Sequence, residues 1–394
     1  MPMPERRRIL QVVFDFQLEG PGGGVTRFAI ELCRHLDPVL FEVVLCGLWN
    51  AGTSLETEHV NSLNAEGIPT FTAAPWQPDH PYRSFYDAFR FLSSHLKDNP
   101  FDLIHSHSEF GDIAALGLKM LRRVPRIART VHYGYQVEWR RRPLRRALLT
   151  NFLYPIYFDQ EIGVSPAVTE MLNQRPLAGR LHRQALYLNN AVDLTRFQTA
   201  PAEKNALRQS LQLPVNRTII GSVGRLTEQK GYTLFIQAAA QVVKSRPDVY
   251  FVILGDGEQR AEIETAIHEL GLENHIILPG SRKNVEAYLY AYDLFVSSSR
   301  WEGLPTVVME SMAAGVPVVA TNIPGSRDLV QDGVTGWLVK PENSGALAEK
   351  ILLALDSPAE QERFTTQALK AIQIYSIENV AAAYAALYQK LLSK

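Results

Sequence analysis

The chain has 394 residues, which at about 100–200 residues per domain corresponds to two domains. Hydrophobic residues make up 46% and charged residues 21%, and 40 Lys and Arg stand against 41 Asp and Glu for a formal charge of -1. That balance excludes a chain built for bulk nucleic-acid binding and an acidic disordered chain.

The two cysteines, Cys33 and Cys46, have neither a disulfide framework nor metal-ligand spacing and fit a reducing, cytoplasmic setting. No stretch reaches the roughly 18–20 uncharged apolar residues of a membrane span. Arg6, Arg7 and Arg8 precede an apolar run, but Asp15 ends it too early for a secretory signal.

In chain order, residues 9–14 read as a buried strand, followed by the glycine-rich loop "EGPGGG" and a helix from about 25 to 36. Residues 41–46 form the next strand, and "DLIHSH", "IARTVH" and "QEIGVS" supply three more. The rhythm restarts after Asp193 with "TIIGSV", "YFVILG", "HIILPG", "LFVSSS" and "VPVVAT", with helical patterns at about 232–244, 258–270, 285–290 and 306–314. Strands alternating with helices imply parallel sheets covered on both faces. The expected fold is therefore α/β, two doubly wound Rossmann-like domains facing a central cleft. The boundaries expected are 1–193 for the first domain and 194–375 for the second. A C-terminal helix at 376–394 would pack back towards the first.

Two segments carry chemistry. In "VGRLTEQKG", Arg225 and Lys230 follow a strand and precede a helix, at the carboxyl edge where open parallel sheets bind ligands. Two cations beside a helix N-terminus suit a diphosphate, although a solvated Arg and Lys in a surface loop fit the same pattern. In "SSRWEGLPTVVMESMAAG", Glu302 falls in a loop and Glu310 about one and a half turns into a helix beginning near Pro305, a residue at home in a first turn. Carboxylates accept hydrogen bonds only, which suits vicinal sugar hydroxyls.

The Glu-x7-Glu segment, "GRLTEQKG" before it, "ILGDGE" between them and "NNAVD" at the joint together resemble the retaining GT-B-fold glycosyltransferases of family 4 (glycosyl transferases group 1). The resemblance spans nearly the whole chain and is stronger in the C-terminal half, and it implies acceptor binding by residues 1–193 and nucleotide-sugar binding by residues 194–375. It implies a retaining transfer of a hexose-type sugar from a nucleotide-diphosphate donor to a lipid, polysaccharide or small-molecule hydroxyl. Arg225 and Lys230 would clamp the diphosphate, Glu302 would lie by the donor sugar and Glu310 would bind the ribose. Gly22, Gly23 and Gly24 would let backbone approach the donor phosphates and the acceptor. His132 would face the reacting centre. Many members read Glu-Gly-Phe-Gly where this chain has Glu302, Gly303, Leu304 and Pro305, and the amides of Gly303 and Leu304 would contact the donor sugar.

The sequence offers no Asp-x-Asp triplet and no His/Asp cluster, so neither a metal nor another cofactor is expected. "GDGEQR" lacks the third glycine and the distant acid of a dinucleotide fingerprint. His107 and Glu109 in "HSHSE" are read as acceptor contacts. A sugar-nucleotide epimerase of related two-domain fold is the alternative enzyme.

The segment from Lys119 to Arg146 holds ten Lys and Arg against Glu138 alone, interleaved with aromatic and aliphatic residues. It can lie on an anionic bilayer, at the inner face of the membrane. A solvated arginine-rich face accounts for the same residues.

Overall fold

The computed structural model describes residues 6–18, 23–132, 143–198 and 203–393. The chain divides into two compact units, residues 1–191 with 377–394, and residues 192–376.

In the first unit the strands are β1 (Arg7–Val13), β2 (Phe41–Asn50), β3 (Thr70–Pro75), β4 (Leu103–Ser106), β5 (Arg126–Val131), β6 (Gln160–Gly163) and β7 (Leu186–Tyr187). They form one parallel sheet in the order β3-β2-β1-β4-β5-β6-β7. Strand side chains alternate between faces, and this alternation assigns the core. Leu10, Val12, Val44, Ile104 and Ile127 pack on one face with Leu92 and Leu96 of helix Pro81–Asp98. Ile9, Leu103 and Ala128 lie on the other, under Phe28 and Leu32 of helix Gly23–His35 and under Tyr384, Leu387 and Tyr388 of helix Ile377–Leu392.

The second unit carries β8 (Thr218–Val223), β9 (Val249–Leu254), β10 (Ile276–Gly280), β11 (Leu294–Ser297), β12 (Val318–Thr321) and β13 (Trp337–Val339). Its order is β10-β9-β8-β11-β12-β13, all parallel. β9 reads "VYFVIL" without alternation because helices cover both its faces. Ile220, Phe251, Ile253, Leu294 and Val296 pack with Phe235, Ile236, Leu347 and Ile351 from two helices. Both sheets are thus doubly wound, as the strand–helix rhythm implies.

Several boundaries differ from the sequence reading. The first helix begins at Gly23, β2 runs on to Asn50, and β3, β7 and β13 have no counterpart in the sequence reading. β7 and β13 are two and three residues long, too short to show a period. Pro305 is the N-cap of helix Thr306–Ala313, with extended dihedrals (φ -73°, ψ 106°), rather than a residue of its first turn.

Candidate active site

In the second unit β8 and β11 are neighbours, and the strand order runs outward from them in opposite directions. That reversal opens a crevice at the carboxyl ends of the two strands, the usual ligand position in an open α/β sheet. The loop after β8 delivers Arg225 and Lys230, and the loop after β11 delivers Glu302. Gly231 ends the first loop in the left-handed region, φ 65°, and a Cβ there would collide with the Ser298 carbonyl oxygen. Glycine at this point lets the two loops close together. Ser298 Oγ also donates to the Lys230 carbonyl at 2.8 Å.

Lys230 Nζ consequently lies 2.6 Å from Glu302 Oε1. The carboxylate also accepts from Ser299 Oγ at 2.8 Å and from Gln229 Nε2 at 3.1 Å. Only 8% of the Glu302 side chain and 19% of the Lys230 side chain are exposed. An ammonium held at a rim by one carboxylate can turn to a phosphate, and that carboxylate is then free to accept hydroxyl protons. Arg225 is more open and meets the exposed Glu258 at 3.2 Å.

Glu310 is buried on helix Thr306–Ala313. Arg196, a residue the sequence reading missed, lies 3.5 Å from Glu310 and 2.7 Å from Glu286. Gly303 and Leu304 are buried, and a Cβ on Gly325 would come within 2.7 Å of the Gly303 carbonyl oxygen, so helix Pro324–Leu329 seats this loop. The glycines of "GDGEQR" serve packing. Cβ atoms at Gly255 and Gly257 would strike backbone of Gly224 and Leu226, so these glycines allow the β9 loop to support the β8 loop.

In the first unit, Gly23 begins a helix, and a Cβ there would overlap the Leu18 carbonyl. Gly24 has open space around it. Gly22 lies outside the described residues. His132 follows β5 and is buried, which pushes its imidazole down to about 3. Its Nε2 meets His107 Nδ1 at 3.3 Å, and the other His107 nitrogen meets Gln11 Oε1 at 2.7 Å.

His107 is one of the two residues read from the sequence as acceptor contacts. It is buried with both ring nitrogens engaged. Glu109 pairs with Arg145 at 3.1 Å. Among the described residues no group of three or more His, Cys, Asp or Glu is placed to hold a metal ion.

The basic segment is only in part a surface. Arg129 is fully buried, 2.6 Å from Asp112 and 3.0 Å from Glu161, with its guanidinium over the Tyr154 ring. Lys119 and Arg126 both bind Asp159, at 2.8 and 3.0 Å. Arg122 is exposed and Arg123 half-buried, next to Met120 and Leu121, which are exposed. Arg140, Arg141 and Arg142 lie outside the described residues. Among the described residues no helix is long and apolar enough to cross a membrane.

Two doubly wound parallel sheets with a ligand edge on the second define the architecture of the GT-B glycosyltransferases. Residues 203–371 match the family model for glycosyl transferases group 1, and residues 22–196 match that for glycosyltransferase family 4. The chain belongs to these glycosyltransferases.

It is 28% identical over 256 residues to the UDP-Gal:alpha-D-GlcNAc-diphosphoundecaprenol alpha-1,3-galactosyltransferase of Escherichia coli, covering 62% of this chain and 64% of that protein. It is 35% identical over 173 residues to the 2-deoxystreptamine glucosyltransferase of Streptomyces kanamyceticus, covering 43% of this chain and 45% of that protein. The matches thus span less than two thirds of these relatives' lengths. In fold it is similar to Anabaena Alr3699/HepE in complex with UDP-glucose, with a TM-score of 0.81, 23% identity and coverage of 97% of this chain and 99% of that one. It is likewise similar to the sucrose-phosphate synthase of Thermosynechococcus elongatus, with a TM-score of 0.83, 21% identity and coverage of 98% and 100%. The matched families are transferases, and the epimerase alternative finds no support.

Proposed function

We propose that the protein moves a hexose from a uridine-diphosphate sugar to an acceptor hydroxyl, with retention of anomeric configuration and without a metal ion. The observation that carries this reading is the Lys230–Glu302 pair at the strand-order reversal, with Arg225 in the same loop. The Escherichia coli relative, named for UDP-Gal, and the Anabaena neighbour, bound to UDP-glucose, favour uridine and a hexose.

In the reaction the bond from the anomeric carbon to the β-phosphate oxygen breaks, and a bond to the acceptor oxygen forms on the same face. The acceptor proton passes to the leaving phosphate oxygen. Arg225 and Lys230 stabilise the growing diphosphate charge, the role a metal plays elsewhere. Glu302 and the amides of Gly303 and Leu304 hold the sugar, and Glu310 holds the ribose. In the first unit, Gly24 leaves its backbone open to a ligand, and His132 hydrogen-bonds a sugar or acceptor hydroxyl. No protein carboxylate is assigned as nucleophile.

A panel of UDP-, GDP- and ADP-sugars in thermal shift and hydrolysis tests this reading. A UDP-hexose should give the largest stabilisation and the fastest release of nucleoside diphosphate, unchanged by EDTA. Preference for a GDP- or ADP-sugar would overturn the uridine assignment. Activity lost in EDTA and restored by Mg²⁺ or Mn²⁺ would overturn metal independence.

A second reading concerns the first unit's surface. Met120, Leu121, Leu148 and Phe152 are each 50% or more exposed, and helix Glu109–Met120 packs near helix Tyr154–Tyr157. Met120 and Leu121 adjoin Arg122 and Arg123 in sequence, and exposed apolar side chains beside cations suit anionic lipid. Vesicle flotation should require anionic lipid and weaken with salt. Equal binding to neutral vesicles would contradict it.

A further inference from the structure

A set of polar side chains is buried in the first unit on one face of its sheet. Ile9, Leu103 and Ala128 mark the face covered by helix Ile377–Leu392. By strand alternation Gln11, His105 and Thr130 share it, and His107 and His132 follow at the ends of β4 and β5. Every one of these five, and Tyr388 from the covering helix, is at most 9% exposed.

The polar atoms form one chain. Gln11 Nε2 donates to Tyr388 Oη at 2.9 Å, and Gln11 Oε1 lies 2.7 Å from His107 Nε2. His107 Nδ1 lies 3.3 Å from His132 Nε2. Tyr388 Oη is also 2.6 Å from His105 Nδ1, whose Nε2 is 2.8 Å from Thr130 Oγ1. His132 Nδ1 is buried and has no hydrogen-bond partner among the described residues.

Burial holds all three imidazoles neutral at pH 7. A neutral imidazole has one N–H and one lone pair, so each bond fixes the next. Because the Gln11 amide donates to Tyr388, its oxygen accepts from His107 Nε2–H. His107 Nδ1 is then a lone pair and accepts from His132 Nε2–H. His132 Nδ1 is left as a lone pair. Turning the Gln11 amide over reverses every bond and puts a proton on His132 Nδ1.

We infer that Gln11, His107 and Tyr388 are positioning residues that set the tautomer of His132, presenting its Nδ1 as a hydrogen-bond acceptor for a ligand hydroxyl. The inference rests on the proposed function only for the identity of that hydroxyl, on the sugar or its acceptor. The C-terminal helix, far away in sequence, thereby acts on the chemistry of the first unit's edge through the Tyr388 hydroxyl.

The test is ¹⁵N NMR of histidine-labelled full-length protein without substrate at neutral pH, which reads protonation at each ring nitrogen. Wild-type His132 should carry its proton on Nε2 with Nδ1 bare, by about ten to one or more. Tyr388→Phe keeps the ring and removes the hydroxyl that accepts from Gln11 Nε2, and Gln11→Leu removes the link altogether. Both should bring His132 to a mixture within about three to one.

A wild-type proton on Nδ1 overturns the inference without need of any variant. An unchanged tautomer in both folded variants also overturns it. Because no substrate is present, absence of sugar transfer would count against the proposed function and leave this result standing.

Discussion

Replacing Lys230 by Met removes one charge from a pair that is largely shielded from water, and the structure sets the size of the effect. Lys230 Nζ is 2.6 Å from Glu302 Oε1, with 19% and 8% of the two side chains exposed. Breaking a fully buried pair costs about 3–5 kcal/mol, because the remaining charge is left uncompensated. Glu302 retains Ser299 Oγ and Gln229 Nε2 as donors, and Lys230 keeps some water, so about 2 kcal/mol of stability should be lost. Glu302→Gln in the Lys230→Met background removes the stranded charge and should restore about half or more of that loss, a non-additivity above about 1 kcal/mol. Equilibrium urea unfolding of the four proteins in the cycle measures it. Lys230→Met within about 0.5 kcal/mol of wild type, with additive single effects, would refute the reasoning.

Arg225→Ala should leave stability within about 0.5 kcal/mol, since its partner Glu258 is exposed. It should weaken UDP binding by calorimetry about tenfold or more. Gly231→Ala places a Cβ against Ser298 at φ 65° and should lower stability by about 1–3 kcal/mol in urea titrations. His105, held at about 3 by burial against 6.5 when unfolded, binds fewer protons folded than unfolded. Its share of stability is therefore present above about pH 6.5 and is lost as pH falls, by about 1.4 kcal/mol between pH 7.5 and 5.5. His105→Asn should shrink the wild-type decline over that window by this amount. Asp15 and Asp112, both raised to about 6 by burial, oppose the decline in both proteins.

Much of the second unit is legible in the sequence because its strands are uniform apolar runs and its polar residues sit in the loops after them. Arg225, Lys230 and Glu302 each follow such a run, and position alone assigns them to the carboxyl edge. Glu302 and Lys230 lie 72 residues apart, and their direct contact depends on β8 and β11 being neighbours. Strand adjacency is a long-range fact that local pattern does not carry.

Arg196 was missed for the same reason, since its partners are Glu286 and Glu310. In the first unit, Gln11 inside "ILQVVF" signals a buried network, because a polar residue in a core strand needs a partner. That partner, Tyr388, lies 377 positions away. Arg129 shows the opposite failure. Counted as surface charge from its neighbours, it is a core residue neutralised by Asp112 and Glu161.

The central claim is that the carboxyl edge of the second unit binds the diphosphate of a sugar nucleotide for transfer. Its most direct test is UDP release from a UDP-hexose by wild type and by Lys230→Ala, each shown to be folded by circular dichroism. The account predicts turnover by wild type and a loss of about a hundredfold or more in the variant. Turnover by Lys230→Ala near the wild-type rate would contradict it.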